Sequence, residues 1–306
     1  MLIDILLLVI GFILLIRGAD AFVDGAASLA HRFNIPEVII GLTVLAMGTS
    51  APELAVSISS VLHGAGGVAV GNVIGSNIVN ILLVLGVSAV ITPLAVKNKT
   101  TQYEIPFVIL ITIILMWFGV KYGEINRYAS YVLLSLFVAF VGYLYFTTKN
   151  EILKSEKRQE MSLIKMLTFI IVGLLVLILG SDLTVKSATN LATAFHVPNR
   201  IIGLTLVAFG TSLPELVTCI AAARKKHVGL IIGNIIGSNI FNILFVLGLT
   251  SLIFPVGFEY AFTIDAAISV LITILLWLFA IYKQQVGRSA GILFLLCYVG
   301  YLIYLF

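Results

Sequence analysis

The chain has 306 residues, of which 60% are hydrophobic and only 10% are charged, and its mean hydropathy is +1.16. This composition excludes an ordinary soluble protein and indicates an all-α integral membrane protein. A spanning helix uses about 20 apolar residues, so the chain accommodates about ten spans and leaves no room for a catalytic domain outside the bilayer. The formal charge of +4 does not indicate a nucleic-acid partner, because in a membrane protein the position of each charge says more than their sum.

Apolar runs separated by polar or turn residues predict ten spans. In chain order they are 2–30, 37–62, 67–94, 103–121, 127–147, 162–193, 199–223, 228–254, 261–282 and 287–306. The first and sixth spans are longer than a bilayer requires, so we expect them to tilt or to project into water. The first span lacks a basic leading segment and a small-residue cleavage site, and we interpret it as retained.

Basic residues are distributed unevenly between the loops. Alternate loops on one side collect Arg32, Lys97, Lys99, Lys149, Lys154, Lys157, Arg158, Lys165, Arg224, Lys225, Lys226, Lys283 and Arg288, whereas the other loops hold Lys121, Arg127 and Arg200. The positive-inside rule predicts a multi-pass protein of the plasma membrane with the basic loops in the cytoplasm and both termini outside.

The sequence repeats itself at an offset of 162 residues. Segment 39–54 matches 201–216, and segment 71–86 matches 233–248. Each copy holds five spans, an odd number, so the second copy is expected to be inverted in the membrane. The predicted units are 1–148, a cytoplasmic linker over 149–161, and 162–306. Inverted repeats are typical of secondary transporters, whose binding site lies near the membrane midplane at the repeat interface.

Two acidic residues lie deep inside repeated spans. Glu53 and Glu215 are about sixteen residues into their spans, where an ionisable side chain indicates a functional site. Two facing carboxylates repel each other in a medium of low dielectric constant unless protons or cations neutralise them. A site with two negative charges therefore favours one divalent cation, two or more monovalent cations, or two protons.

The neighbouring polar residues are all oxygen donors. Helical spacing places them near the two carboxylates; they are Thr49, Ser50, Ser76, Asn80, Thr211, Ser212, Ser238 and Asn242. The absence of His and Cys from this set disfavours zinc and copper, and calcium suits a flexible shell of six to eight oxygens better than magnesium does. Pro52 and Pro214 deprive the carbonyls of Gly48 and Gly210 of their helical N–H partners, which predicts a helix break at each site.

The motifs GTSAPE at 48–53 and GTSLPE at 210–215, with GNVIGSNIVN at 71–80 and GNIIGSNIFN at 233–242, resemble the two repeats of the calcium/cation antiporter superfamily. Within it, the chain is similar to the prokaryotic sodium/calcium exchanger group, whereas proton/calcium exchangers place the glutamate in a GNxxE context. The resemblance implies alternating access, transport of Ca²⁺ and Na⁺ without a cofactor or an enzymatic reaction, and function as a monomer in the lipid bilayer.

The resemblance also implies a set of ligands. Calcium would bind Glu53 and Glu215 with the main-chain carbonyls of Thr49 and Thr211, and sodium would add the serines named above and the carbonyls of Ala46 and Ala208. The chain departs from the potassium-dependent members, and from some prokaryotic ones, at Asn242, where they have aspartate; Asn80 and Asn242 are both neutral here. This difference predicts exchange that is independent of potassium.

Four alternatives remain open from the sequence. The same glutamates are compatible with a proton/calcium antiporter, and the oxygen shell is compatible with another divalent cation. An intramembrane hydrolase also uses two acids on two spans, but it does not require inverted symmetry. A passive channel usually surrounds its pore with several subunits.

Overall fold

The computed structural model describes residues 2–150, 161–195 and 208–305. The helices in these ranges are α1 Leu2–Arg32, α2 Glu37–Thr49, α3 Ala51–Leu62, α4 Gly66–Ile91, α5 Thr100–Tyr122, α6 Arg127–Asn150, α7 Leu163–Ala194, α8 Ala208–Thr211, α9 Leu213–Arg224, α10 Val228–Ile253, α11 Tyr260–Lys283 and α12 Arg288–Leu305. The all-α prediction is confirmed, since the four strands that accompany these helices are only two residues long.

Eight of the described helices are long and apolar enough to cross a membrane singly, and α2 with α3 forms a ninth candidate if the bent pair is one span. The predicted seventh span corresponds to α8 and α9, but its residues 199–207 lie outside the described part of the chain. The predicted linker also lies mostly outside it, and α6 extends to Asn150, two residues into that predicted segment.

The helices differ strongly in how deeply they are buried. α4 and α10 are largely enclosed by the rest of the protein, whereas α1, α7 and α12 expose most of their apolar surface. Exposed side chains such as Leu6, Ile171 and Leu296 are compatible with contact to lipid tails. The core of the molecule is therefore formed around the two helices that carry the GSN motifs.

The two longest helices, α1 and α7, pack against each other in antiparallel directions. A Cβ atom added to Gly18 would lie 2.5 Å from the Leu177 nitrogen, and one added to Gly180 would lie 2.6 Å from the Leu15 nitrogen. Such short distances require glycine, because a side chain on either residue would meet the main chain of the other helix. The residue numbers in contact run in opposite directions, which establishes the antiparallel arrangement.

The four short strands pair across the two halves of the chain. β1 (Leu94–Ala95) is antiparallel to β4 (Gln285–Val286), with Leu94 opposite Val286. β2 (Glu124–Ile125) is antiparallel to β3 (Val256–Gly257), with Glu124 opposite Gly257. Because β1 precedes α5 and β2 follows it, these two small sheets lie at opposite ends of α5.

Candidate functional site

The helix that carries Glu53 is broken next to it. α2 ends at Thr49 and α3 begins at Ala51, with a bend of 43° between them. Ser50 has φ −85° and ψ 9°, outside the geometry of a continuing helix. Pro52 lies in the first turn of α3, where its missing N–H is tolerated. The predicted proline break is thus observed, and it falls at the serine two residues before the proline.

The second copy has the same construction. α8 ends at Thr211, Ser212 has φ −89° and ψ 3°, and Pro214 lies in the first turn of α9. The carbonyl of Gly210, which loses its helical N–H partner, accepts a hydrogen bond of 3.0 Å from the Ser181 hydroxyl of α7. A side chain of the long helix α7 therefore contacts the break itself.

Glu53 and Glu215 each lie in the first turn of the helix that follows a break. Both side chains are fully buried. A helix N-terminus carries a partial positive charge that favours a carboxylate there, but this stabilises a buried charge only partly. No Lys or Arg is among the buried residues that the structure describes, so no basic side chain neutralises the two carboxylates from inside the protein.

Serines connect each carboxylate to the other half of the chain. The Ser50 hydroxyl donates to Glu215 Oε1 at 2.9 Å, and the Ser212 hydroxyl lies 3.5 Å from Glu53 Oε1. Ser76 also contacts Glu53 Oε1 at 3.5 Å. Within the described residues, the second oxygen of each carboxylate, Oε2, has no hydrogen-bond partner. The buried pair thus retains free acceptor capacity, as a cation site requires.

The threonines of the two motifs contact asparagines of the opposite half. Thr49 Oγ1 donates to Asn234 Oδ1 at 3.2 Å, and Thr211 Oγ1 donates to Asn72 Oδ1 at 3.3 Å. The Asn72 amide also donates to the Glu53 carbonyl at 3.2 Å. These contacts give Asn72 and Asn234 a structural role, because their side chains hold the broken helices in place.

Four further asparagines form a crossed set of hydrogen bonds between α4 and α10. Asn77 Nδ2 donates to the Asn239 carbonyl at 3.2 Å, and Asn239 Nδ2 donates to the Asn77 carbonyl at 3.4 Å. Asn80 Nδ2 donates to Asn239 Oδ1, and Asn242 Nδ2 donates to Asn77 Oδ1, both at 3.2 Å. We call these four residues the asparagine brace.

Asn80 and Asn242 also mark local changes of helix type. Each is the first residue of a π-helical segment, Asn80–Val84 in α4 and Asn242–Leu247 in α10. Short π-helical segments are frequent at functional sites. The Oδ1 atoms of Asn80 and Asn242 are buried and have no hydrogen-bond partner among the described residues, as is also true of Ser238 Oγ.

Close approach of two helices brings the halves together at this depth. A Cβ atom added to Gly41 would lie 2.7 Å from the Leu230 carbonyl oxygen, and one added to Gly237 would lie 2.7 Å from the Leu42 Cα atom. These glycines therefore allow α2 and α10 to touch through their main chains. The contact places Thr49 within reach of Asn234.

Apart from Ala208, each of the predicted site residues is buried. The Ser50 hydroxyl donates to Glu215, and the Ser76 and Ser212 hydroxyls each contact Glu53 at 3.5 Å. The Ala46 carbonyl accepts the Ser50 N–H at 3.0 Å. Ala208 is the first described residue of α8, and its side chain lies outside the description.

Sequence analysis missed two hydroxyl groups near the second motif. Thr218 is fully buried one turn after Glu215, and its Oγ1 has no partner among the described residues. Ser181 reaches the Gly210 carbonyl from a distant helix. The i+3 spacing places Thr218 on the same helix face as Glu215, which would have indicated it. Its counterpart in the first copy is Val56, so the comparison of the two repeats did not identify a polar residue at this position.

Comparison with known proteins identifies the family. Residues 3–146 and 165–306 match the family described as sodium/calcium exchanger protein. The chain belongs to this family. The resemblance inferred from the repeated motifs is thereby confirmed, and the protein is a member of a family of membrane antiporters.

Individual relatives cover nearly the whole chain. An uncharacterized membrane protein of Methanocaldococcus jannaschii is 39% identical over 293 residues, which cover 95% of this chain and 94% of that protein. Sodium/calcium exchanger MaX1 of Methanosarcina acetivorans is 29% identical over 345 residues, covering 99% of each chain. A solved structure of the sodium-calcium exchanger NCX_Mj, soaked with Na⁺ and Sr²⁺, is similar with a TM-score of 0.86 at 38% identity and covers 97% of each chain.

Proposed function

We propose that this protein is a secondary antiporter that exchanges Ca²⁺ for Na⁺ across the plasma membrane by alternating access, without a requirement for K⁺. The observation that carries the proposal is the pair of fully buried carboxylates, Glu53 and Glu215, each with an oxygen that has no partner among the described residues. Membership in the sodium/calcium exchanger family supports the same conclusion.

The chemistry of the surrounding groups favours calcium and sodium as cargo. The groups that contact the carboxylates are serine hydroxyls, and no cluster of three or more His, Cys, Asp or Glu side chains occurs in the described ranges. Hard oxygen ligands bind Ca²⁺ and Na⁺, whereas zinc and copper prefer nitrogen and sulfur. Glu53 and Glu215 are the proposed shared ligands, aided by Ser50, Ser76, Ser212, Ser238, Asn80, Asn242 and the carbonyls of Thr49, Thr211, Ala46 and Ala208.

Sharing of the carboxylates explains why the two ions would exchange. A site with two buried negative charges and no cation is costly, so the empty protein crosses between its two conformations unfavourably. Occupation by one Ca²⁺ removes the ligands that Na⁺ requires, and the reverse is equally true. The protein therefore crosses loaded with either Ca²⁺ or Na⁺, and one complete cycle exchanges the two ions.

Two features support inverted repeats of five spans each. α1 and α7 are the first helices of the two halves, and they pack antiparallel through glycines at corresponding positions, Gly18 and Gly180. In addition, the first strand of each half pairs with the second strand of the other half: β1 with β4, and β3 with β2. The two pairs lie at opposite ends of α5. A two-fold axis in the membrane plane produces both arrangements.

The pair α1 and α7 is the proposed gate. These helices pack closely on each other through glycines and expose most of their outer surfaces, and we propose that they slide together across the remaining helices. Ser181 of α7 bonds the Gly210 carbonyl at the helix break, which gives the gate a contact with the site. The two termini are proposed to lie outside the cell, as the distribution of basic residues indicates.

A proton/calcium antiporter is the second candidate, because buried glutamates also bind protons. Uptake of calcium-45 into proteoliposomes distinguishes the two. The vesicles carry either an outward sodium gradient or an outward proton gradient, with potassium absent and the membrane potential clamped. We expect uptake with the sodium gradient alone. Uptake with the proton gradient alone would replace sodium by protons as the counter-ion.

A further inference from the structure

The asparagine brace contains two residues that the ion-binding proposal does not use. Asn77 and Asn239 contribute their side chains to the opposite half of the chain rather than to the carboxylates. Both are buried, at 1% and 0% relative exposure. A buried primary amide in a membrane core is costly unless its donors and acceptor are used, so the arrangement of these bonds is strongly determined.

The bonds of the brace fix the orientation of the neighbouring asparagines. An asparagine side chain ends in an oxygen that accepts and an NH₂ group that donates, and a cation site can use only the oxygen. Asn239 Oδ1 accepts the NH₂ group of Asn80, and Asn77 Oδ1 accepts the NH₂ group of Asn242. The amide ends of Asn80 and Asn242 are thereby held against the opposite helix.

The oxygen ends of the same two side chains remain available. Asn80 Oδ1 and Asn242 Oδ1 are buried and lack a hydrogen-bond partner among the described residues. Reversing Asn80 or Asn242 would place its oxygen against Asn239 Oδ1 or Asn77 Oδ1, so that two acceptors meet. Reversing Asn77 or Asn239 would place its oxygen against a main-chain carbonyl and its NH₂ group against another NH₂ group. The hydrogen bonds of the brace therefore permit one orientation of the Asn80 and Asn242 amides. In this orientation each of these two neutral side chains offers only its oxygen to an ion.

We propose that Asn77 and Asn239 are positioning residues for ion binding, each acting through the asparagine of the opposite repeat whose amide it holds. Asn239 orients Asn80, and Asn77 orients Asn242. This inference rests on the proposed function for its ligands, Asn80 and Asn242, and adds the residues that make these neutral side chains effective ligands. It also makes ion binding depend on correct contact between the two halves.

The proposal predicts a specific pattern of coupling in double-mutant cycles. Each of Asn77→Ala, Asn80→Ala, Asn239→Ala and Asn242→Ala is expected to weaken calcium binding about tenfold. The crossed double variants, N80A/N239A and N77A/N242A, are expected to lose about tenfold in calcium affinity in total. Both changes in each double act on the same ligand oxygen, which the first change already removes or misdirects. Their effects are therefore not additive.

Doubles within one repeat are the matched controls. N239A/N242A and N77A/N80A change residues three positions apart on one helix that share no hydrogen bond in the brace. We expect these doubles to lose about a hundredfold, the product of the single effects, because each removes both asparagine oxygens from the site. A role in packing alone does not predict coupling that follows the crossed hydrogen bonds.

The measurement is equilibrium binding of calcium-45 to purified protein, which needs no counter-ion gradient. Failure of sodium-driven uptake in the unmodified protein would contradict the exchange proposal while leaving this test intact. Additive effects in the crossed doubles, or coupling in the within-repeat doubles instead, would overturn the positioning role. Serine replaces alanine at any position where the alanine protein is not recovered in monodisperse form.

Discussion

At the scale of single residues, the central feature is a buried carboxylate pair with no basic partner in the described part of the chain. Glu53 and Glu215 are fully buried, and the contacts described for their Oε1 atoms come from neutral hydroxyl groups, Ser50 on Glu215 and Ser76 and Ser212 on Glu53. Neutral donors orient a carboxylate but do not cancel its charge, so a bound cation is needed for that. The negative charge, rather than the shape of the side chain, is therefore the property to test.

Replacing either glutamate by glutamine keeps the shape and removes the charge. We expect Glu53→Gln and Glu215→Gln each to lower calcium-45 exchange by more than about a hundredfold, because one of the two charges that attract the ion is lost. The thermal stability of the purified variants should be retained, since burying a neutral amide costs less than burying a charge.

The matched control is Glu259→Gln, which removes an exposed carboxylate just before α11. It should leave exchange unchanged. Near-normal calcium flux in both Glu53→Gln and Glu215→Gln would contradict the assignment of the site.

Asn242 is the residue whose neutrality is proposed to exclude potassium. Asn242→Asp adds a third negative charge beside the buried pair and removes the NH₂ group that bonds Asn77 Oδ1. We expect a several-fold change in the sodium dependence of calcium uptake or a new sensitivity to potassium, because a more negative site attracts an additional monovalent cation. Uptake is measured over a range of Na⁺ concentrations with and without K⁺. An unchanged ion profile would show that this position does not set selectivity.

At the scale of helices, glycine determines how the long pair α1 and α7 packs. A Cβ atom on Gly180 would lie 2.6 Å from the Leu15 nitrogen, which is main chain and has no flexible end to move aside. In contrast, a Cβ atom on Gly300 of α12 would meet no described atom within 4 Å. Alanine at Gly180 therefore introduces a clash with α1, whereas alanine at Gly300 changes only the helix propensity of α12.

Gly180→Ala is expected to lower the melting temperature of the purified protein by several degrees, because α1 and α7 must separate to admit the methyl group. Gly300→Ala should leave it unchanged or raise it slightly, since alanine favours the helix by up to about 1 kcal/mol. Both are measured by thermal unfolding in one detergent. Equal melting temperatures for the two variants would contradict close packing of α1 on α7.

At the scale of the whole molecule, the sequence predicts which residues correspond but not which residues touch. The offset of 162 relates Asn77 to Asn239 and Asn80 to Asn242, yet their bonds run diagonally between the copies. Hydropathy locates the long helices because each apolar run consists of residues that are adjacent in the sequence. The glycine contacts of α1 with α7 and the exchanged strand pairs depend on residues more than a hundred positions apart, and no local pattern contains them.

The residues of the candidate site were similarly predictable from the sequence, but the hydrogen bonds between them were not. Repetition and burial in an apolar span identify Glu53 and Glu215 and their oxygen-rich neighbours. The role of Asn72 remained open until its bonds to the Glu53 carbonyl and to Thr211 were known. An asparagine in an apolar helix is equally suited to bind an ion or a main chain, so only three-dimensional contacts separate these roles.

Calcium and sodium are proposed to bind the same pair of carboxylates, Glu53 and Glu215, and therefore to exclude each other. The measurement that tests this proposal most directly is equilibrium binding of calcium-45 to the purified protein during titration with Na⁺ at constant ionic strength, with choline as the replacement cation. We expect complete displacement of calcium, with a sodium dependence steeper than that of a single site, and almost no calcium binding by the variant Glu215→Gln. Calcium that stays bound at saturating sodium, or full binding by that variant, would contradict it.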